Sequence, residues 1–96
     1  MPEPEMASLR LDKFLVFARF CKTRTLAEAL VENGGVRINR QPIAKPHARL
    51  RVGDVLTLTL PRGIRVIDVL ILPTKRASAS LAQDCYREIN ETLTDP

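Results

Sequence analysis

The apolar positions of this chain follow two different periods. Leu11, Phe14, Leu15 and Ala18 recur at i, i+3, i+4 and i+7, which lays one apolar stripe along a helix. Arg10, Lys13 and Phe17 fall on its other side, and Ser8 stands where a cap would. Lys22-Thr23-Arg24 interrupts the stripe. Thr23 is placed to cap a second helix whose apolar positions are Leu26, Ala27, Leu30 and Val31. Asn33-Gly34-Gly35 supplies the stop, because Gly tolerates the left-handed conformation that follows many helix ends.

After that stop the period falls to two. Val36 and Ile38 alternate with Arg37 and Asn39, and Leu56, Leu58 and Leu60 with Thr57 and Thr59. Both runs predict half-buried strands. Arg40-Gln41-Pro42 and Gly53-Asp54 read as turns, and Leu50 and Val52 lead into the second of them. Lys45-Pro46-His47 reads as loop or sheet edge, since Pro46 has no amide hydrogen to give to a ladder. Pro61-Arg62-Gly63 joins the Leu56–Leu60 strand to a hairpin partner over 64–72, which Pro73 ends. The helical period then returns in Leu81, Ala82, Cys85, Tyr86, Ile89 and Leu93, with Ser78 or Ser80 as cap. Residues 1–8, acidic and rich in proline, predict a flexible tail and do not form a signal peptide. No run approaches a membrane span, so the expected location is the cytoplasm.

Charge adds what the pattern lacks. Ten Lys or Arg stand against three acids between Arg10 and Arg51, a net of +7, while the remainder carries five against eight, a net of −3. The overall +4 hides that polarity. A basic face on a small domain most often meets nucleic-acid phosphate. The 96 residues suffice for one domain, and 45% hydrophobic content is too apolar for a mainly disordered chain. Cys21, Cys85 and the single His47 fit no zinc spacing; the cysteines read as plain buried or half-buried thiols, with a disulfide between them as the lesser alternative. No carboxylate pair, nucleophile–base set, glycine-rich phosphate loop or metal set is present. Neither catalysis nor a cofactor is therefore expected.

The ordered set Arg10-Leu11-Asp12-Lys13, Leu15, Thr23-Arg24, Ala27, Leu30, Gly34, Val36, Ile38-Asn39, Lys45-Pro46 and Val52-Gly53-Asp54 resembles the S-four RNA-binding domain, named after ribosomal small-subunit protein four. The likeness covers about residues 9–60 and implies an α+β fold. A two-helix αL-type RNA-binding motif would pack on a small, mainly antiparallel sheet. Residues 61–96 would add a hairpin strand and a C-terminal helix to the same domain. Ala18-Arg19-Phe20, Lys22 and the Ala-rich C-terminal segment with Tyr86 extend the resemblance to the bacterial fifteen-kilodalton heat-shock family. That likeness implies binding to ribosomal RNA of the large ribosomal subunit; the sequence leaves oligomeric state open, with a monomer as the default. It also implies a role in rescuing stalled subunits that carry peptidyl-tRNA. This chain departs from the family at Thr23, where Ser is frequent, and at Arg40, where Gly is usual. Its C-terminal region is shorter and lacks a long basic tail.

Carried over residue by residue, the resemblance implies RNA contacts by Arg10, Lys13, Arg19, Lys22, Thr23 and Arg24. The adjoining strand and loop add Arg37, Asn39, Lys45 and Arg49. Arginine and lysine would meet phosphates, and Thr23 and Asn39 would donate to phosphate or 2′-hydroxyl oxygens. Each also has a plainer reading. Arg10 can pair with Asp12 or with an acid of the third helix, and Arg49 and Arg51 can be solvated loop charges. Phe17 and Phe20 read first as core, with stacking on an unpaired base as the alternative. Asp12 favours the start of its helix through the dipole and orients Arg10 or Lys13. Two other functions compete with RNA binding. One is a DNA-binding regulator of helix-turn-helix type, suggested by two short helices with a basic second start. The other is a protein-interaction module built on the acidic tail and third helix.

Overall fold

The computed structural model describes residues 7–89. Chain order is β1 (Leu9–Arg10), α1 (Leu11–Phe17), α2 (Arg24–Glu32), β2 (Val36–Ile38), β3 (Gln41–Pro42), β4 (Arg49–Leu50), β5 (Val55–Leu60), β6 (Gly63–Val69), α3 (Ala79–Gln83) and β7 (Tyr86–Glu88). Five strands form one sheet in the order β3-β2-β5-β6-β7, and β1 pairs separately with β4. Every pairing is antiparallel. The fold is therefore α+β, as the resemblance implies.

The core joins the α1–α2 layer to one face of the larger sheet. Leu11, Phe14, Leu15, Ala27 and Val31 from the helices pack with Val36, Leu56, Leu58, Ile67 and Val69 from the strands, all buried. At about 1.5–3 kcal/mol for each large apolar side chain, this cluster is the main source of stability. The alternating residue Arg37 of β2 is exposed between two buried neighbours, so it lies on the sheet face turned away from the helices.

Both helices end in the same way. After α2, Gly34 takes φ 84°, and Gly34 N–H and Gly35 N–H donate to Val31 and Leu30 carbonyls at 3.1 and 2.9 Å. After α1, Arg19 takes φ 68°, and Arg19 and Phe20 N–H donate to Val16 and Leu15 carbonyls at 3.0 and 2.8 Å. This crossed pair of bonds is the Schellman ending, with arginine in one helix where glycine stands in the other. The sequence pattern did not reveal the first one, because no glycine marks it.

The structure corrects several local expectations. Ser8 does not cap α1: Arg10 occupies that position with no side-chain cap, and Leu9–Arg10 is drawn into a strand by β4. The β2–β3 turn is Asn39-Arg40, with φ of 51° and 74°, and Gln41-Pro42 belongs to the next strand. Pro42 is tolerated because β3 is an edge. Strand β6 stops at Val69 rather than Leu72.

The largest correction concerns the C-terminal segment. Ser78 does cap a helix, accepting from Leu81 N–H at 3.3 Å, but α3 ends at Gln83 and Tyr86–Glu88 is a strand. Without β7 the edge of β6 would leave its ladder groups unpaired. The Tyr86 ring packs against Phe20 at 4.7 Å between centroids. Pairing and aromatic contact together outweigh a weak helical period. Leu93 lies outside the described residues.

Candidate nucleic-acid interface

Asp12 is the hub of the helix pair and is fully buried. Arg10 grips it with two bonds, Nε to Oδ1 at 3.1 Å and Nη2 to Oδ2 at 2.9 Å. Arg24, the first residue of α2, reaches Oδ2 at 3.2 Å and Glu28 at 3.6 Å. One carboxylate thus fixes two guanidiniums at the junction of β1, α1 and α2. Burial alone would raise the Asp12 pKa. The Arg10 hydrogen bonds, the charges of Arg10 and Arg24 and the Lys13 N–H outweigh it and hold the carboxyl below its ordinary value.

A lowered folded-state pKa has a definite sign. The stability it contributes is complete above the unfolded carboxyl value near 3.8 and is lost as pH falls through the lower folded value. Urea unfolding from pH 7 to pH 2 is expected to show stability falling below about pH 4, and less steeply in Asp12→Asn. Identical pH profiles for the two proteins would remove Asp12 from this role.

The start of α1 is closed by backbone rather than by a cap. Leu11 N–H donates to the Ala48 carbonyl at 2.8 Å and Asp12 N–H to the Pro46 carbonyl at 3.0 Å. These bonds pin the Lys45–Ala48 loop against the helix. They explain Pro46 in a physical way, since that residue needs only its carbonyl here. Arg49 lies directly opposite Arg10 in the β1–β4 pair. Like charges in that register repel, and Asp12 compensates only one of them. Arg10, Arg24, Arg49 and the exposed Lys45 therefore gather around the α1 N-terminus, with Lys13 half-buried beside them.

A second cationic group sits on the turn between the helices. Thr23 caps α2, its Oγ1 accepting from Leu26 N–H at 3.1 Å, which leaves the hydroxyl hydrogen free to donate outward. Arg19 Nη1 donates to the Ala77 carbonyl at 3.3 Å. Arg76 Nη1 donates to the Lys22 carbonyl at 3.0 Å, and Ala77 N–H to the Phe17 carbonyl at 3.0 Å. The segment before α3 thus lies across the turn and brings Arg76 to Arg19 and Lys22. Sequence reasoning missed Arg76, because it belongs to the stretch whose summed charge is negative. Among the described residues no carboxylate is within ion-pair distance of Lys13, Arg19, Lys22, Arg37, Lys45 or Arg49.

Arg65 braces this turn from the sheet. Its Nε and Nη2 donate to both Glu88 oxygens at 3.0 and 2.7 Å, and its guanidinium stands 5.1 Å from the Phe20 ring and 5.7 Å from Tyr86. The Arg65 hydrogen bonds outweigh burial and hold the Glu88 carboxyl below its usual value. Phe20 is half-buried against this set and against Phe14 at 6.4 Å.

Two of the expected site residues lie apart from both groups. Arg37 is on the outer sheet face, between Pro42 and Thr57. Asn39 uses its side chain within the fold: Nδ2 donates to Asp54 at 3.0 Å and Oδ1 accepts from Val55 N–H at 2.9 Å. One amide hydrogen remains for an outside partner. The cysteines are free, Cys21 half-buried and Cys85 buried. Burial pushes both thiols up, helped at Cys85 by Asp84. Among the described residues no group of His, Cys, Asp and Glu is placed to hold a metal ion, and no helix is long and apolar enough to cross a membrane.

Arg19 offers a test that separates fold from function. A non-glycine residue at positive φ is strained, so Arg19→Gly should raise stability by roughly 0.5–1 kcal/mol in thermal unfolding. RNA affinity should fall at the same time, with a salt slope shallower by about 0.7–0.9. Stability and affinity that rise together would show that Arg19 serves only the turn.

Comparison with known proteins places the same segment in context. The S4 domain model, which is the S-four family, matches residues 9–56. A Heat shock protein 15 homolog of Aeromonas salmonicida is 38% identical over 95 residues, covering 97% of this chain and 71% of that one. An RQC P-site tRNA stabilizing factor of Listeria monocytogenes is 32% identical, covering 92% of this chain and 94% of that one. The solved structure of Vibrio cholerae Heat Shock Protein 15, described as trimeric, superposes with a TM-score of 0.83 at 39% identity, covering 92% of this chain and 88% of that chain.

Proposed function

The chain belongs to the S4 domain family, among the relatives of Heat shock protein 15, and from that premise we propose that it is a non-enzymatic RNA-binding protein of the cytoplasm. Its target is ribosomal RNA of the large ribosomal subunit, and its role is that of a ribosome-associated heat-shock and rescue factor. The stalled subunits it serves carry peptidyl-tRNA, which would be a second contact. The observation that carries this reading is the pair of cationic groups at the α1 N-terminus and on the turn between α1 and α2. Buried Asp12 holds Arg10 and Arg24 in place, and Arg19 and Lys22 stand without carboxylate partners among the described residues.

The mechanism is positional. Structured RNA is recognised by shape, phosphates and 2′-hydroxyls, so the protein needs fixed cations rather than a reaction centre. Arg10 and Arg24 each keep N–H groups beyond those spent on Asp12, and these can bind phosphate oxygens. Lys13, Arg19, Lys22, Lys45 and Arg49 extend the same electrostatic surface, and Thr23 donates its hydroxyl. Arg37 and Asn39, on the far side of β2, would touch a more distant part of the RNA. Beyond Arg24 and Thr25, α2 presents Glu28 and Glu32 rather than donors, which gives the helix-turn-helix alternative little to read bases with.

Co-sedimentation with purified large subunits tests the proposal, with and without peptidyl-tRNA and at two salt concentrations. Retention is expected on both, tighter on the loaded subunit and weaker at high salt. Equal retention would remove the rescue role and leave binding to ribosomal RNA. Retention on neither would remove the large subunit as target. A monomer is the proposed form; sedimentation of the free protein checks it against the trimer described for the Vibrio cholerae relative.

A further inference from the structure

An open groove runs from α2 past Phe20 to the β5–β6 turn. One half, about 350 Å³, is lined by Cys21, Lys22, Leu26, Ala29 and Asn33. The other, about 340 Å³, is lined by Arg62, Gly63, Ile64 and Arg65. Phe20, Leu60 and Pro61 belong to both halves, so they form a shared apolar floor. Leu26 and Ile64 on its walls are 53% and 67% exposed. With the floor they form an apolar recess open to a ligand.

Charge decides which partner. Among the described residues no Asp or Glu lines either half, whereas Lys22 and Arg62 do, beside Arg65, whose charge is already met by Glu88. An apolar peptide would use the walls and leave the cations idle. A fully paired RNA helix would use the cations but has no free base to insert. We infer that the groove is a binding site for an unpaired nucleotide of the bound RNA. The base lies against Phe20 and the Leu60–Pro61 floor, and the flanking phosphates face Lys22 and Arg62. This inference rests on the RNA-binding reading and deepens it. Aromatic and apolar platforms beside cations are how single-stranded bases are held.

The platform is pre-organised. The strained φ at Arg19 and the Phe20 N–H bond to Leu15 set the backbone beneath the ring, and Phe14, Tyr86 and Arg65 support it. Residues held in such conformations are often kept for a site. Asn33, at the α2 end of the groove, supplies amide groups for a base edge.

The test compares a four-nucleotide single-stranded RNA with the same backbone made abasic, followed by amide chemical shifts in the full chain. The base-bearing RNA should shift the Cys21, Leu26 and Asn33 amides and bind about tenfold more tightly than the abasic one. Ala29→Phe, which fills the groove from the helix side, should erase that tenfold while leaving co-sedimentation with large subunits in place. Leu26→Gln, a solvent-exposed change, should reduce it without affecting the fold. Equal binding of the two RNAs, or shifts confined to Lys22 and Arg62, would overturn the inference without touching subunit binding. Broadening of the groove amides with protein concentration alone would assign the groove to a second copy of the chain and overturn it too.

Discussion

Replacing Arg19, Lys22 and Arg24 together by Gln is expected to weaken binding to large ribosomal subunits about a hundredfold at 0.1–0.15 M salt. The estimate takes each exposed charge-assisted phosphate contact at about 1 kcal/mol, below the range for buried ones, and ~3 kcal/mol is roughly two powers of ten. The salt dependence should also flatten, by about 2–3 in the slope of log affinity against log salt, because three fewer counterion-releasing charges remain. The fold should survive. Thr23 still caps α2, and Arg10 keeps both bonds to Asp12. Circular dichroism with filter binding over a salt series decides the matter. An unchanged affinity and slope would sink the assignment of the turn. Arg37→Gln is the internal contrast: Arg37 lies in the other layer, and its loss should cost no more than a few fold.

The helix pair was legible because its signals are local. Leu11, Phe14, Leu15 and Ala18 state the period, Thr23 states the cap, and Gly34 states the stop. The antiparallel strands of 36–38 and 55–60 were legible for the same reason, through alternation with Arg and Thr. What escaped depends on contacts distant in sequence. The β1 strand is only two residues long and exists because β4 lies beside it. The Arg19 ending of α1 is the local exception, hidden because it uses a residue that propensity disfavours at positive φ. Tyr86–Glu88 is helical by period and a strand by pairing. The candidate site divides similarly. The cations of 10–24 were visible as a cluster, but Arg76 reaches them only through the bond to the Lys22 carbonyl. The double grip on Asp12 was half visible: the pairing with Arg10 was one of two readings for that arginine, and Arg24 gave no sign in sequence of turning back to the same carboxylate.

That carboxylate is where stability and recognition meet, and Asp12→Ala should show it. A buried ion pair that loses one partner costs about 3–5 kcal/mol. The Arg10 and Arg24 side chains are 32% and 50% exposed, so both can rehydrate, and the expected loss is nearer 2 kcal/mol. Loss of an acidic residue from the first turn of α1 contributes in the same direction. Urea unfolding measures the total, and double-mutant cycles divide it. Coupling to Arg10 should exceed coupling to Arg24, since Arg10 makes two bonds, one at 2.9 Å, and Arg24 makes one at 3.2 Å. The RNA consequence has the opposite electrostatic sign. Removing a negative charge strengthens nonspecific attraction, while freeing the two guanidiniums loosens their geometry. Asp12→Ala should therefore bind unrelated RNA as well as before or better, and large subunits less selectively. If coupling to both arginines fell below about 0.3 kcal/mol and selectivity held, Asp12 would be a surface charge in energetic terms, and the cations would need another explanation for their fixed positions.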